Sequence, residues 1–229
     1  MVARTRIKVC CIGSADEARL AISHGADALG FVGPMPSGPG VIDNDLIAEL
    51  VPSVPPPVAT FLLTSETEPD AITAHVHHCG ANTVQIVDHI DPSIYPMLRN
   101  GLPRIRLVQV IHVEGPESIA LAKTMAKLAD ALLLDSGTPS VDVKKLGGTG
   151  QTHDWSLSRE IVQATSCPVF LAGGLRPENV GEAIRAVRPY GVDVCTGLRK
   201  GRKKENQLDP IKLKAFVNEV LRADVETTT

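Results

Sequence analysis

Apolar, β-branched runs recur along the chain: Ile7–Ile12, Ala28–Val32, Val58–Leu63, Thr83–Val87, Ile105–Ile111, Ala131–Leu134, Val169–Leu171 and Val192–Cys195. Between them the apolar positions switch to helical spacing, as in Ala15–His24, Asn44–Val51, Asp70–His78, Pro116–Leu128, Ser156–Thr165, Glu178–Val187 and Pro210–Leu221. Strands that are apolar throughout and alternate with helices imply a parallel sheet covered on both faces. Eight such repeats predict closure into a (β/α)8 TIM barrel. The turn after the first run, Cys11-Ile12-Gly13-Ser14-Ala15, has one glycine and lacks the G-x-G-x-x-G that a dinucleotide-binding open sheet places there. The chain is therefore read as one barrel domain over residues 1–229, with a frayed tail at 223–229.

Composition agrees with a large core: 43% of residues are hydrophobic and 21% charged. A formal net charge of −3 gives no global attraction to nucleic acid or to an anionic membrane, so any bound anion must be held locally. No apolar run reaches the roughly 18 residues of a membrane span, and MVARTRIKVCC is no signal peptide, which predicts a cytoplasmic location. Five cysteines, an odd number without a C-x-x-C pair, argue against a disulfide framework and against structural zinc. The cluster His75-Val76-His77-His78-Cys79 has helical spacing that scatters its side chains, so no metal site is expected.

In a barrel of this kind the reactive groups lie at the carboxyl ends of the strands. Two such ends carry glycine, Gly173-Gly174 after the seventh strand and Thr196-Gly197 after the eighth. Backbone N–H groups there suit a phosphate, although glycines also serve simply as tight turns. Asp135 closes the sixth strand; burial at the mouth would raise its pKa and suit it to donate a proton, while Asp-Ser-Gly is equally turn chemistry. Cys10 closes the first strand and is either a thiol base or an inert buried hydrophobe. Lys8 shares its strand face, and Cys11 should turn toward the helical shell. The basic run Arg199-Lys200-Gly201-Arg202-Lys203-Lys204 adjoins the phosphate candidate on the mouth side, as a solvated loop or an attractor of anionic substrate.

Six fragments in order, Arg6–Ile12, His24–Val32, Leu133–Ser136, Gly147-Gly148-Thr149-Gly150 with His153-Asp154-Trp155, Ala172–Val180 and Gly191–Gly197, resemble motifs of the phosphoribosylanthranilate isomerase family over about residues 6–217. The resemblance implies a (β/α)8 barrel and a cofactor-free Amadori rearrangement of N-(5-phosphoribosyl)anthranilate in tryptophan synthesis, by a monomer or homodimer. It implies Asp135 as the acid that opens the ribose ring and Cys10 as the base that removes the C2 proton. The phosphate of the sugar would rest on Gly173, Gly174, Thr196 and Gly197, with Lys8, Gln85 and Arg199 as candidate substrate contacts. Departures fall at the substrate end. The family's second βα loop holds an arginine that grips the anthranilate carboxylate, whereas Pro34–Ile42 has no cation; V-Q-L-H-G at strand four is Val84-Gln85-Ile86-Val87-Asp88; strand one has Cys11 for glycine; and Arg199 stands where an acid is expected. Three readings stay open: this isomerase, an isomerase or lyase of another phosphorylated sugar, and a non-catalytic phosphometabolite-binding barrel.

Overall fold

A computed structural model of the chain describes residues 4–136, 153–200 and 207–227. Eight parallel strands, β1 (Arg6–Val9), β2 (Ala28–Val32), β3 (Ala59–Thr64), β4 (Thr83–Ile86), β5 (Arg106–His112), β6 (Ala131–Asp135), β7 (Val169–Leu171) and β8 (Gly191–Val194), form a closed barrel in sequence order. The seam pairs β1 with β8 over four residues, from Arg6 with Gly191 to Val9 with Val194. Around it lie α1 (Ala15–Ser23), α2 (Asn44–Leu50), α3 (Pro69–Cys79), α4 (Tyr95–Gly101), α5 (Glu117–Met125), α6 (Trp155–Ala164), α7 (Val180–Val187) and α8 (Pro210–Glu226).

The period-2 alternation of the strands divides the core in two. Ile7, Val9, Leu29, Phe31, Leu62, Leu132 and Leu134 face outward and pack under the helices. Cys10, Ala28, Val32, Phe61, Leu63, Val108, Val110, Leu133 and Phe170 fill the barrel interior. Both faces being buried explains why these strands read as unbroken apolar runs. Helix starts obey local chemistry: Ser14 accepts from Glu17 N at α1, and Asp209 accepts from Ile211 N before Pro210 opens α8.

Two elements depart from the sequence reading. Helix α4 was not expected; its seven residues bury only Tyr95 and Leu98, too few turns for a periodic signal. The end of the chain is not frayed from residue 223, because α8 continues to Glu226. Its Ala223 and Asp224 are buried, and the Asp224 carboxylate accepts from Thr5 N at 2.9 Å and Thr5 Oγ1 at 2.6 Å, tying the last helix to the start of β1.

The cysteines also require correction. Cys11 and Cys195 form a disulfide across the barrel seam. An odd count excludes complete pairing but not a single bond, and Cys11 has φ of +63°, which breaks the strand alternation and turns its side chain away from the helical shell. A bond between residues 184 apart in sequence restricts a very long loop of the unfolded chain; chain-entropy reasoning gives up to about 5 kcal/mol. At roughly 2–4 °C per kcal/mol for a domain of this size, reductant should lower the melting temperature by roughly 10 °C, and a Cys195→Ser variant should melt at the same lower temperature with or without reductant. Identical melting of oxidised and reduced wild type would refute this.

Candidate functional site

Residues at the carboxyl ends of β1, β4, β6, β7 and β8 converge on a cleft at the barrel mouth. Cys10, Gln85, Asp135, Gly173, Gly174 and Thr196 all line it, so six of the predicted site residues meet in one space. Gly197, Lys8 and Arg199 do not line it. The motif at Gly147–Gly150 and the basic residues Arg202, Lys203 and Lys204 lie outside the described residues.

Cys10 follows the last residue of β1 and keeps its inward direction, its N–H donating to Val194 O at 2.8 Å. Below it Lys8, fully buried, pairs with Asp193 at 2.8 Å, and the ammonium also lies 5.2 Å from the centre of the Phe61 ring. Burial opposes the charge on Lys8, but Asp193 and Cys10 outweigh it and hold the ammonium above its ordinary range. Gly30 gives both groups room, since a Cβ there would stand 2.7 Å from the Cys10 sulfur and 3.1 Å from Lys8 Nζ. Burial pushes the Cys10 thiol up to about 11, with Lys8 as the main opposing influence. Asp193, which sequence reasoning did not single out, was legible as an acid in an apolar strand, directly paired in register with Lys8.

Asp135 closes β6 opposite His112 on β5. Burial drives its carboxyl above the usual range, against the pull of the Ser136 N–H, which donates to Oδ1 at 2.7 Å, and of His112. The His112 ring is oriented by a bond from Nε2 to Val87 O at 2.9 Å. Gln85 is 3% exposed, and its Oε1 is buried with no hydrogen-bond partner among the described residues, leaving an acceptor at the cleft for a ligand donor. A half-buried acid at the end of β6 and a buried thiol at the end of β1, both lining one cleft with the Gln85 acceptor, can shuttle protons on a bound molecule.

Between the acid on β6 and the thiol on β1, at the ends of β7 and β8, the wall is backbone. Gly173 and Gly174 take φ of +84° and +63°, the region glycine enters without strain. Asn179 secures the turn by donating to Gly174 O and accepting from Arg176 N. The adjoining turn Thr196–Leu198 is pressed so closely on it that a Cβ at Gly197 would lie 2.0 Å from Leu175 O. Gly197→Ala should therefore separate the two turns, costing about 1–3 kcal/mol of stability as overpacking does and raising KM for a phosphorylated substrate at least about tenfold. A variant with wild-type melting temperature and KM would show that this contact is dispensable.

Three placements differ from expectation or extend it. Arg199 is buried, ion-paired with Glu17 at 2.8 Å, and does not line the cleft. The loop after β2 presents Met35, Gly38 and Pro39 to the cleft, and no Lys or Arg is among the described residues lining it. In α3, His75 bonds Thr64 and Asn44, whereas His78 bonds Asp45, so the two rings serve different neighbours.

Comparison with known proteins places this geometry. The family model for N-(5'-phosphoribosyl)anthranilate isomerase matches residues 7–219. N-(5'-phosphoribosyl)anthranilate isomerase 2 of Methanosarcina mazei is 40% identical over 90% of this chain and 91% of its own, and the isomerase of Methanocella arvoryzae 36% over 88% and 92%. Among solved structures, the phosphoribosyl anthranilate isomerase of Thermotoga maritima superposes with a TM-score of 0.78 at 29% identity, covering 95% of this chain and 99% of that one. Another, solved with reduced 1-(o-carboxyphenylamino)-1-deoxyribulose 5-phosphate, gives 0.75 at 26% identity, with the same coverage. A match along nearly the whole chain, joined to a cleft that unites the acid, the thiol and the two glycine turns, makes this chain a member of the N-(5'-phosphoribosyl)anthranilate isomerase family.

Proposed function

We propose that the chain converts N-(5'-phosphoribosyl)anthranilate to its 1-deoxyribulose isomer in tryptophan synthesis. The observation that carries this reading is the shared cleft, where a carboxyl held toward its protonated form and a thiol above a buried ammonium face the same space. Asp135 protonates the ribose ring oxygen, the C1–O bond breaks, and an iminium ion forms between C1 and the anthranilate nitrogen. That positive charge acidifies the C2 proton, which the Cys10 thiolate removes to give the enolamine; Lys8 stabilises the thiolate. The enolamine then takes a proton at C1 and loses one from the C2 hydroxyl, which restores both groups and completes the isomerisation. The phosphate rests on the backbone of Gly173, Gly174, Thr196 and Gly197, and Gln85 Oε1 accepts from a substrate hydroxyl or the anilino N–H.

Expression in a tryptophan auxotroph lacking this isomerase tests the reading. Growth without tryptophan is expected from wild type and not from an Asp135→Asn variant. No growth from a soluble, expressed wild-type protein would reject it. A second reading, isomerisation of a different phosphorylated sugar, is favoured by one observation: no described cation lines the cleft to meet an anthranilate carboxylate. Turnover of a phosphorylated sugar lacking the carboxylate, faster than that of the anthranilate substrate, would establish it. No helix among the described residues is long and apolar enough to cross a membrane. A cytoplasmic enzyme, monomeric or homodimeric, fits the proposed role, and the dimeric isomerase of Thermotoga maritima has also been solved as monomers generated from it.

A further inference from the structure

Arg199 stands two residues beyond Gly197, yet its guanidinium points away from the phosphate candidate and under the exit of β1. One terminal nitrogen donates to Glu17 Oε1 at 2.8 Å. The other donates to the Cys10 carbonyl at 3.3 Å, to the Cys11 carbonyl, and to Glu17 Oε2 at 3.4 Å. The Glu17 carboxylate also receives the N–H of Gly13 at 2.9 Å and of Leu208 at 2.8 Å. Lys212 on α8 donates to the Arg199 carbonyl at 2.9 Å. These bonds join α1, the start of α8, the turn after β8 and the last residues of the β1 run.

The carbonyls the guanidinium grips belong to the thiol residue and to its neighbour, just past the last residue of β1. Cys11 is held at a positive φ, which costs a non-glycine residue on the order of 1–2 kcal/mol and persists only where surroundings fix it. The side chains of Arg199 and Glu17 are only 5% and 14% exposed, so the pair bears a desolvation cost that an apolar pair of similar volume would avoid. A planar donor array is what two adjacent carbonyls and a carboxylate can use together.

We propose that Arg199, held by Glu17, is a positioning residue for Cys10: by fixing the carbonyls of Cys10 and Cys11 it sets the thiol over Lys8 and inside the cleft. The catalytic consequence rests on the reading of Cys10 as the base, while the geometric consequence does not.

The test uses the full-length enzyme with Arg199→Met, Arg199→Lys and Glu17→Gln. It reads kcat and KM, melting temperature, and the pH dependence of iodoacetamide alkylation of Cys10 followed by peptide mass. Arg199→Met is expected to lower kcat about 100-fold, the scale of a misplacement near 1 Å, with KM within about threefold. Its Cys10 alkylation midpoint should move from near 11 toward the ordinary thiol range, as the thiol leaves its buried seat. Arg199→Lys, which keeps one cationic donor, should recover about tenfold of the loss. A purely structural role predicts lower stability with kcat and the alkylation midpoint unchanged in the folded fraction, and that result overturns the proposal. Should Arg199→Met not fold, the near-isosteric Glu17→Gln decides: wild-type kcat and midpoint in that variant overturn the proposal, and a joint shift of both supports it. Turnover retained by Cys10→Ser would instead remove the base assignment, leaving the alkylation midpoint as the measure of the clamp.

Discussion

Asp135→Asn is expected to lower kcat by about 10²–10⁴-fold, the usual contribution of a positioned acid, while leaving the affinity for inorganic phosphate as competitor unchanged. The amide keeps the shape and can still accept from Ser136 N–H, but it has no proton to give the ring oxygen. Cys10→Ser should produce a comparable loss, because a hydroxyl in the same buried position ionises far less readily than a thiol. The pH profile follows from the same two environments. The productive form, carboxylic acid with thiolate, contains the same number of protons as carboxylate with thiol, so both share one plateau. Raising pH through the elevated carboxyl value removes the proton that blocks this form, and kcat/KM rises; it falls again only as the thiol range near 11 is reached. A wild-type rate for either variant, or an alkaline fall centred near neutrality, would defeat the acid and base assignment.

Among substitutions inside the barrel, a large stability effect is expected from Lys8→Met. Lys8 is fully buried and Asp193 is 9% exposed, so removing the ammonium leaves a carboxylate in the barrel interior without its partner. Breaking one member of a buried pair costs about 3–5 kcal/mol. Asp193→Asn should cost less, since the amide can still accept from Lys8 and the lone ammonium retains the Phe61 ring. The combined Lys8→Met, Asp193→Leu variant should recover most of the loss, because a well-packed apolar pair bears no desolvation cost. Chemical denaturation of wild type, Lys8→Met, Asp193→Leu and the combined variant measures the cycle. Additive losses in the double variant would mean that the two charges are not coupled. Its turnover should stay low even when stability returns, because nothing then stabilises the Cys10 thiolate.

The strands were legible because a parallel barrel buries both faces, and runs such as Leu132-Leu133-Leu134 therefore carry no polar interruption. That Lys8 and Cys10 share a strand face followed from period-2 alternation, and the place of Asp135 at the barrel mouth from its closing an apolar run. Cys11 was misread for the same reason: alternation assumes extended backbone, and a single residue at φ +63° cancels it. Helix α4 escaped because two buried positions make no period. Arg199 was misread because a charge run is solvated by default, and its partner Glu17 lies 182 residues away, where no local pattern connects them. The Asp193 pairing needed the β1–β8 register, a fact of closure rather than of spacing.

That seam also orders the events of synthesis. Thr5 with Asp224, Lys8 with Asp193, the Cys10 N–H with Val194, Cys11 with Cys195 and Glu17 with Arg199 all join the opening elements of the barrel, made earlier, to its closing ones, made later. A ribosome-bound chain that has not yet released β8 and α8 holds the thiol and its ammonium on an unpaired strand edge, with none of these partners present. The reaction centre thus comes into being only when the barrel shuts, so a truncated product carries no partially active site.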